Sequence, residues 1–307
     1  MSKSKNQYIM KSLVTLFIFI ISYATAFAQT INQEVIDPDG KPKLLGVINK
    51  EGLQKDTYKA WFDTNHDHYI VNDKLVETFS ESLKDYTIKV FLGTWCGDSK
   101  KEVPRFYKVL ETANYNLDNL EVVALDNQKE HYKQGPNGEE KGYDIHRVPT
   151  FIFYKDGKEI NRIVEHPIET LERDIEKIVT NQPYSFNYIA ADYIQYLLST
   201  KTIEQLNTEE TKLVAQLSDF VKGSRELNTL GYVYLRAKAF DKALYTFKLN
   251  TLIFPYKSNV YDSLGEAFFM TNNYTEALIN YNKVLALQPE DKNALEMIQK
   301  INQANKQ

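Results

Sequence analysis

The chain holds a single cysteine, Cys96, among 307 residues. One sulfur cannot form an intramolecular disulfide, so the fold must stand on its core alone. Basic residues are not in excess: 37 Lys and Arg face 41 Asp and Glu, for a net charge of −4, which argues against nucleic acid as a partner. No G-x-S-x-G, Walker or dinucleotide glycine pattern is present, so neither a serine hydrolase nor a nucleotide enzyme is indicated and no cofactor is expected. Metal-binding spacing is missing too. DTNHDHYI (63–70) opens like a calcium loop, but His68 stands where the loop needs glycine and Lys74 where it needs glutamate. That stretch reads as a turn or helix cap, and no metal site is expected.

What is present is an ordinary globular composition, 43% hydrophobic and 25% charged, with 21 tyrosines that suit helical repeats and half-wet binding surfaces. The length fits two or three domains. Residues 1–28 read as a secretory signal peptide: Lys3, Lys5 and Lys11, the apolar run Leu13 to Ile21, then Ala26-Phe27-Ala28. Cleavage after Ala28 would leave an exported, periplasmic or secreted chain of net charge −7, with no membrane attachment. In such an oxidising compartment a single cysteine is either buried and inert or a working thiol.

Residues 29–74 form an N-terminal extension in which KLLGVI (43–48) reads as a strand. Over 75–182, helical and strand patterns alternate: LVETFSESL (75–83), TIKVFLGT (87–94), KKEVPRFYKVLETA (100–113) and LEVVALD (120–126). A polar, Gly-rich loop (130–144) precedes VPTFIFYKDGKEINRIVE (148–165), two strands joined by a Lys-Asp-Gly turn, and a last helix at 168–179. This order predicts an α/β domain of roughly one hundred residues.

Beyond Pro183 every pattern is helical. Leu230-Gly231 recurs as Leu264-Gly265, Ala243 as Ala277, Phe247 as Tyr281 and Pro255 as Pro289, always 34 residues apart. Segments 224–257 and 258–291 therefore resemble tetratricopeptide repeats, with 292–307 as capping helix and tail and 183–223 as a helical linker. The resemblance implies a protein or peptide partner on the repeat face, or a packing or dimerisation role.

VFLGTWCGDSKKEVP and, downstream, YDIHRVPTFIFYKDGKEI resemble the two signatures of the thioredoxin superfamily. The first places a W-C-x-x-C/S segment between a strand and a helix, with Pro104 eight residues on. The second carries a cis proline, here Pro149. The resemblance covers about residues 75–180 and implies a thioredoxin-like α/β fold followed by the all-α repeat domain. It implies Cys96 and Ser99 as catalytic residues, Ser99 contacting the thiolate. It places Trp95, Gly97, Asp98, Val148, Pro149 and Thr150 at the substrate surface.

A thiol at a helix start favours its anion, and Lys100 and Lys101 reinforce this while Asp98 opposes it. Two positions depart from the family. Ser99 replaces the second cysteine, and Val90 stands where the family carries a buried aspartate for proton transfer. The expected activity is monothiol exchange with a protein or low-molecular-weight thiol substrate; the alternative is a redox-inactive binding or assembly adaptor. His146, beside Arg147, reads as an exposed loop histidine.

Overall fold

The computed structural model describes residues 31–304. The proposed signal peptide and its cleavage site lie outside the described residues.

Six strands form one mixed sheet in the order β1-β2-β4-β3-β5-β6: Gln33–Ile36, Pro42–Ile48, Leu120–Ala124, Tyr86–Leu92, Thr150–Lys155 and Lys158–Val164. β3 and β4 run parallel; every other pairing is antiparallel. The N-terminal extension thus supplies the first two strands of the sheet. Period-two alternation divides the sheet's faces. Ile88, Val90, Leu92, Val122, Ala124, Phe151 and Phe153 face a core shared with helices α2 (Asp56–Asp67), α3 (Asp73–Leu83), α4 (Gly97–Thr112) and α5 (Leu171–Val179). Phe91, Val123, Leu125 and Ile152 face the other way, with Ile145 and Val148 from the loop that follows β4. The hairpin turns at Asp156-Gly157, both at positive φ (52° and 72°), the primed geometry that the strands' twist favours.

Of the two readings for residues 63–67, a turn or a helix cap, the structure supports the helix end: they form the last turn of α2, with His68 as its C-cap. Buried Tyr58 and Phe62 stand four apart on that helix and fix it to the core, which carries His66 to Glu111, where Nε2 and Oε2 are 2.9 Å apart.

The helical half begins with α6 (Ile189–Thr200), α7 (Ile203–Thr208) and α8 (Glu210–Ser218), after a single turn, α1 (Lys50–Leu53), far upstream. Two helix pairs follow, α9 (Ser224–Arg236) with α10 (Phe240–Ile253) and α11 (Ser258–Met270) with α12 (Tyr274–Leu287), and then α13 (Lys292–Ala304). The repeat's small residues work as contact points. A Cβ on Gly231 would lie 2.4 Å from the Phe247 ring, and one on Gly265 would lie 3.2 Å from Tyr281. Ala243 and Ala277 are fully buried. Adjacent repeats are stitched by polar pairs one repeat apart, such as Tyr232 Oη donating to Glu266 Oε2 at 3.0 Å. Among the described residues no helix is long and apolar enough to cross a membrane.

Candidate thiol site

β3 ends at Leu92, and the chain turns through Gly93-Thr94-Trp95 into α4, with Cys96 as its N-cap residue. Gly93 is required here: a Cβ would fall 2.4 Å from the Trp95 ring that folds over it. The Trp95 indole N–H donates to the Leu125 carbonyl (2.8 Å), which fixes the ring beside the sulfur. The Thr94 hydroxyl accepts the Leu44 N–H (3.1 Å), so β2 holds the turn from the other side. Cys96 is partly exposed, and its thiol donates to the Val148 carbonyl at 3.3 Å.

The Val148–Pro149 bond is cis. Thr150 is buried and its hydroxyl donates to the Arg147 carbonyl (2.8 Å). Among the described residues the Val148 N–H has no acceptor. Gly97 and Asp98 are exposed on the first turn of α4. The structure therefore gathers Trp95, Cys96, Gly97 and Asp98 from one end of β3 and Val148, Pro149 and Thr150 from the start of β5. Ser99 is fully buried, and its hydroxyl accepts the Gly93 N–H at 3.2 Å. It braces the turn before the cysteine, and no hydrogen bond links it to Cys96 among the described residues. Val90 pairs with Val122 across β3 and β4, both buried, so the sheet beneath the site is apolar. Lys101 is turned to Glu102 (2.9 Å) instead of to the sulfur.

Sequence reading missed the loop that follows β4. Asp126 pairs with buried Lys43, and its backbone exchanges hydrogen bonds with Lys133 and Gln134. Lys133 is thereby turned inward at φ 58°, is 4% exposed, and donates from Nζ to the His146 carbonyl at 2.6 Å. Burial, with Arg147 adding to it, pushes its pKa down to about 7. His146 is buried rather than exposed, because the loop folds over the sheet's second face. Burial chiefly, then the Lys133 and Arg147 charges, push its pKa down to about 3. Neither ring nitrogen has a hydrogen-bond partner among the described residues. A sequence pattern shows only a polar loop here. The one available signal was the pair of apolar residues flanking His146, Ile145 and Val148.

The helical half abuts this site. The Arg147 guanidinium pairs with Glu165 (3.1 Å), donates to the Arg225 carbonyl at the start of α9 (3.1 Å), and lies 4.4 Å from the Tyr188 ring centroid. The Tyr188 hydroxyl donates to Glu165. Further along, Lys129 reaches Glu266 of α11 at 2.7 Å. The residue two before the cis proline is thus tied to the repeats.

Comparison with known proteins accounts for this architecture. The Thioredoxin family model matches residues 70–177. Thioredoxin from Chlamydia trachomatis serovar D is 30% identical over 89 residues, which cover 29% of this chain and 78% of that protein. Thioredoxin Y1, chloroplastic, of Arabidopsis thaliana is 35% identical over 104 residues, 34% of this chain and 49% of that protein. Superkiller protein 3 of Schizosaccharomyces pombe is 26% identical over 144 residues, 46% of this chain and 10% of that protein. The chain spans about a tenth of the last of these and about half of the chloroplast protein.

Proposed function

The chain belongs to the thioredoxin family, and from that premise we propose that it performs monothiol thiol–disulfide exchange through Cys96. The observation that carries this reading is the sulfur's placement: partly exposed, at the N-terminus of a sixteen-residue helix, facing the carbonyl that precedes a cis proline. A helix N-terminus favours an anion there.

In the proposed reaction the Cys96 thiolate attacks one sulfur of a substrate disulfide. A new S–S bond forms, the old one breaks, and the leaving sulfur departs as a thiolate that takes a proton from water. Ser99 has no sulfur with which to resolve the mixed disulfide, so a second thiol from outside attacks and restores Cys96. The net result is transfer of a disulfide between partners. The substrate is a protein or a small thiol, laid along Trp95, Gly97 and Asp98 with its backbone against Val148, Pro149 and Thr150. The repeats recruit a protein partner and hold it beside the site, in an exported, periplasmic or secreted protein.

The test is incubation of the native protein with oxidised glutathione, followed by mass measurement. A single glutathione adduct, absent in Cys96→Ser and removed by added thiol, supports exchange. A native protein that stays unmodified while its unfolded form is modified means instead that the domain serves as a binding adaptor.

A further inference from the structure

We propose that Tyr188, which lies outside the matched segment 70–177, is a positioning residue of the thiol site: through Glu165 and Arg147 it fixes the loop against which a substrate's backbone is laid. This deepens the exchange reading and rests on it. The geometry starts at Glu165, which directly follows β6. Its backbone N–H donates to the Pro149 carbonyl at 2.7 Å, and one of its carboxylate oxygens accepts Arg147 Nη1 at 3.1 Å. One residue thus holds the chain on both sides of Val148. Val148 is the residue whose carbonyl faces Cys96 Sγ at 3.3 Å and whose own N–H has no acceptor among the described residues.

Tyr188 grips both ends of this clamp. Its hydroxyl donates to the second Glu165 oxygen, and its ring centroid lies 4.4 Å from the Arg147 guanidinium. The Arg147 and Glu165 side chains are only 17% and 14% exposed, so water replaces a lost partner poorly and each contact weighs more than it would at the surface. The hydrogen bond joins two residues in the left-handed region, Glu165 at φ 66° and Tyr188 at φ 65°. A side chain adopts that conformation only where its surroundings impose it. For Tyr188 the surroundings come from the first repeat. Tyr188 is the N-cap residue of α6, yet its side chain makes no capping hydrogen bond. Glu226 of α9, buried, does that work: its carboxylate accepts the Ala190 and Ala191 N–H groups at 3.0 and 3.2 Å and the Lys222 N–H at 3.0 Å. The Tyr188 side chain is left to reach Glu165. An unbroken series of contacts therefore joins α9 to Val148, and Tyr188 carries it across from the helical half.

The test compares full-length wild type with Tyr188→Ala and Tyr188→Phe, each folded by circular dichroism. Three rates are measured at Cys96: reaction with the disulfide of a neutral blocked tripeptide, reaction with hydroxyethyl disulfide, which has no peptide backbone, and alkylation by iodoacetamide. Tyr188→Ala should lower the tripeptide rate roughly ten-fold and leave the other two within about two-fold, a split that general damage to the fold would not produce. Tyr188→Phe keeps the ring against Arg147 and should regain part of the loss. Hydrogen exchange read by mass spectrometry needs no thiol chemistry: the Glu165 N–H, held by the Pro149 carbonyl, should exchange faster in Tyr188→Ala while the amides of β3 and β4 keep their rates. An unchanged tripeptide rate, equal losses with all three reagents, or unchanged hydrogen exchange at Glu165 would overturn the assignment. A wild type that reacts with iodoacetamide but with neither disulfide overturns the exchange reading instead, and hydrogen exchange at Glu165 then decides the clamp alone.

Discussion

Replacing Lys133 with methionine should make the protein more stable at neutral pH, and the gain should shrink as the pH rises. Lys133 has an ordinary value of 10.5 in the unfolded chain and about 7 in the folded one. Between those values the unfolded state binds more protons than the native state, so wild-type stability increases with pH across that window. Below about pH 7 the whole penalty is present. It amounts to about 5 kcal/mol, from a difference of roughly three and a half pH units. Methionine removes that penalty but also leaves the His146 carbonyl without its donor, a loss of about 1–3 kcal/mol. The net gain at pH 6 should be about 2–4 kcal/mol. The hydrogen-bond part does not titrate here, so the difference between variant and wild type should narrow by about 2–3 kcal/mol from pH 6 to pH 9. Urea unfolding at four pH values measures it directly. A difference that stays constant with pH would refute the argument, as would a wild type whose stability falls between pH 7 and 9 while the variant's does not.

Three other outcomes follow from the same geometry. His146 is held neutral down to about pH 3, whereas the unfolded imidazole protonates near 6.5. Native stability should therefore fall as the pH drops through 6.5, by about 2 kcal/mol more at pH 5 than in His146→Gln, measured by denaturant titration. Gly231→Ala should destabilise by about 1–3 kcal/mol, since its Cβ would overlap Phe247 at 2.4 Å. Gly265→Ala, at 3.2 Å from Tyr281, should cost distinctly less in the same thermal melts, with alanine's helix preference offsetting the contact. Arg147→Ala removes the pairing to Glu165 and Arg225 and should speed proteolytic cleavage between the α/β and helical halves; an unchanged digestion pattern would mean the junction is held elsewhere.

The elements that the sequence made legible are those whose side chains repeat. The 34-residue period exposed the repeats because Gly231 and Gly265 must admit a ring and Ala243 and Ala277 must lie flat. The hairpin was readable because Asp-Gly satisfies two positive φ angles in succession. Trp95-Cys96 and Val148-Pro149 were readable as a site because the resemblance joined two segments fifty residues apart. The loop 126–146 was not. It is held by contacts between residues far apart in sequence, such as Lys43 with Asp126, 83 positions away, and Arg162 with the Tyr143 carbonyl, and by a lysine turned inward against its own preference for water. Neither leaves a periodic trace. The same cause hid His146, whose burial comes from that loop closing over Ile145 and Val148. Asp63 to Asp67 were legible in part: their polar residues suggested a turn or helix cap, and they form the last turn of a helix that Tyr58 and Phe62 anchor.

The most direct test of the central claim is the rate at which Cys96 reacts with an aromatic disulfide at pH 7, compared between the native and the urea-unfolded protein. The account predicts that the native cysteine reacts faster, with stoichiometric release of one aromatic thiol and a mixed disulfide that added thiol reverses. A native cysteine that reacts more slowly than the unfolded one would contradict it, because folding would then be hiding the sulfur instead of activating it.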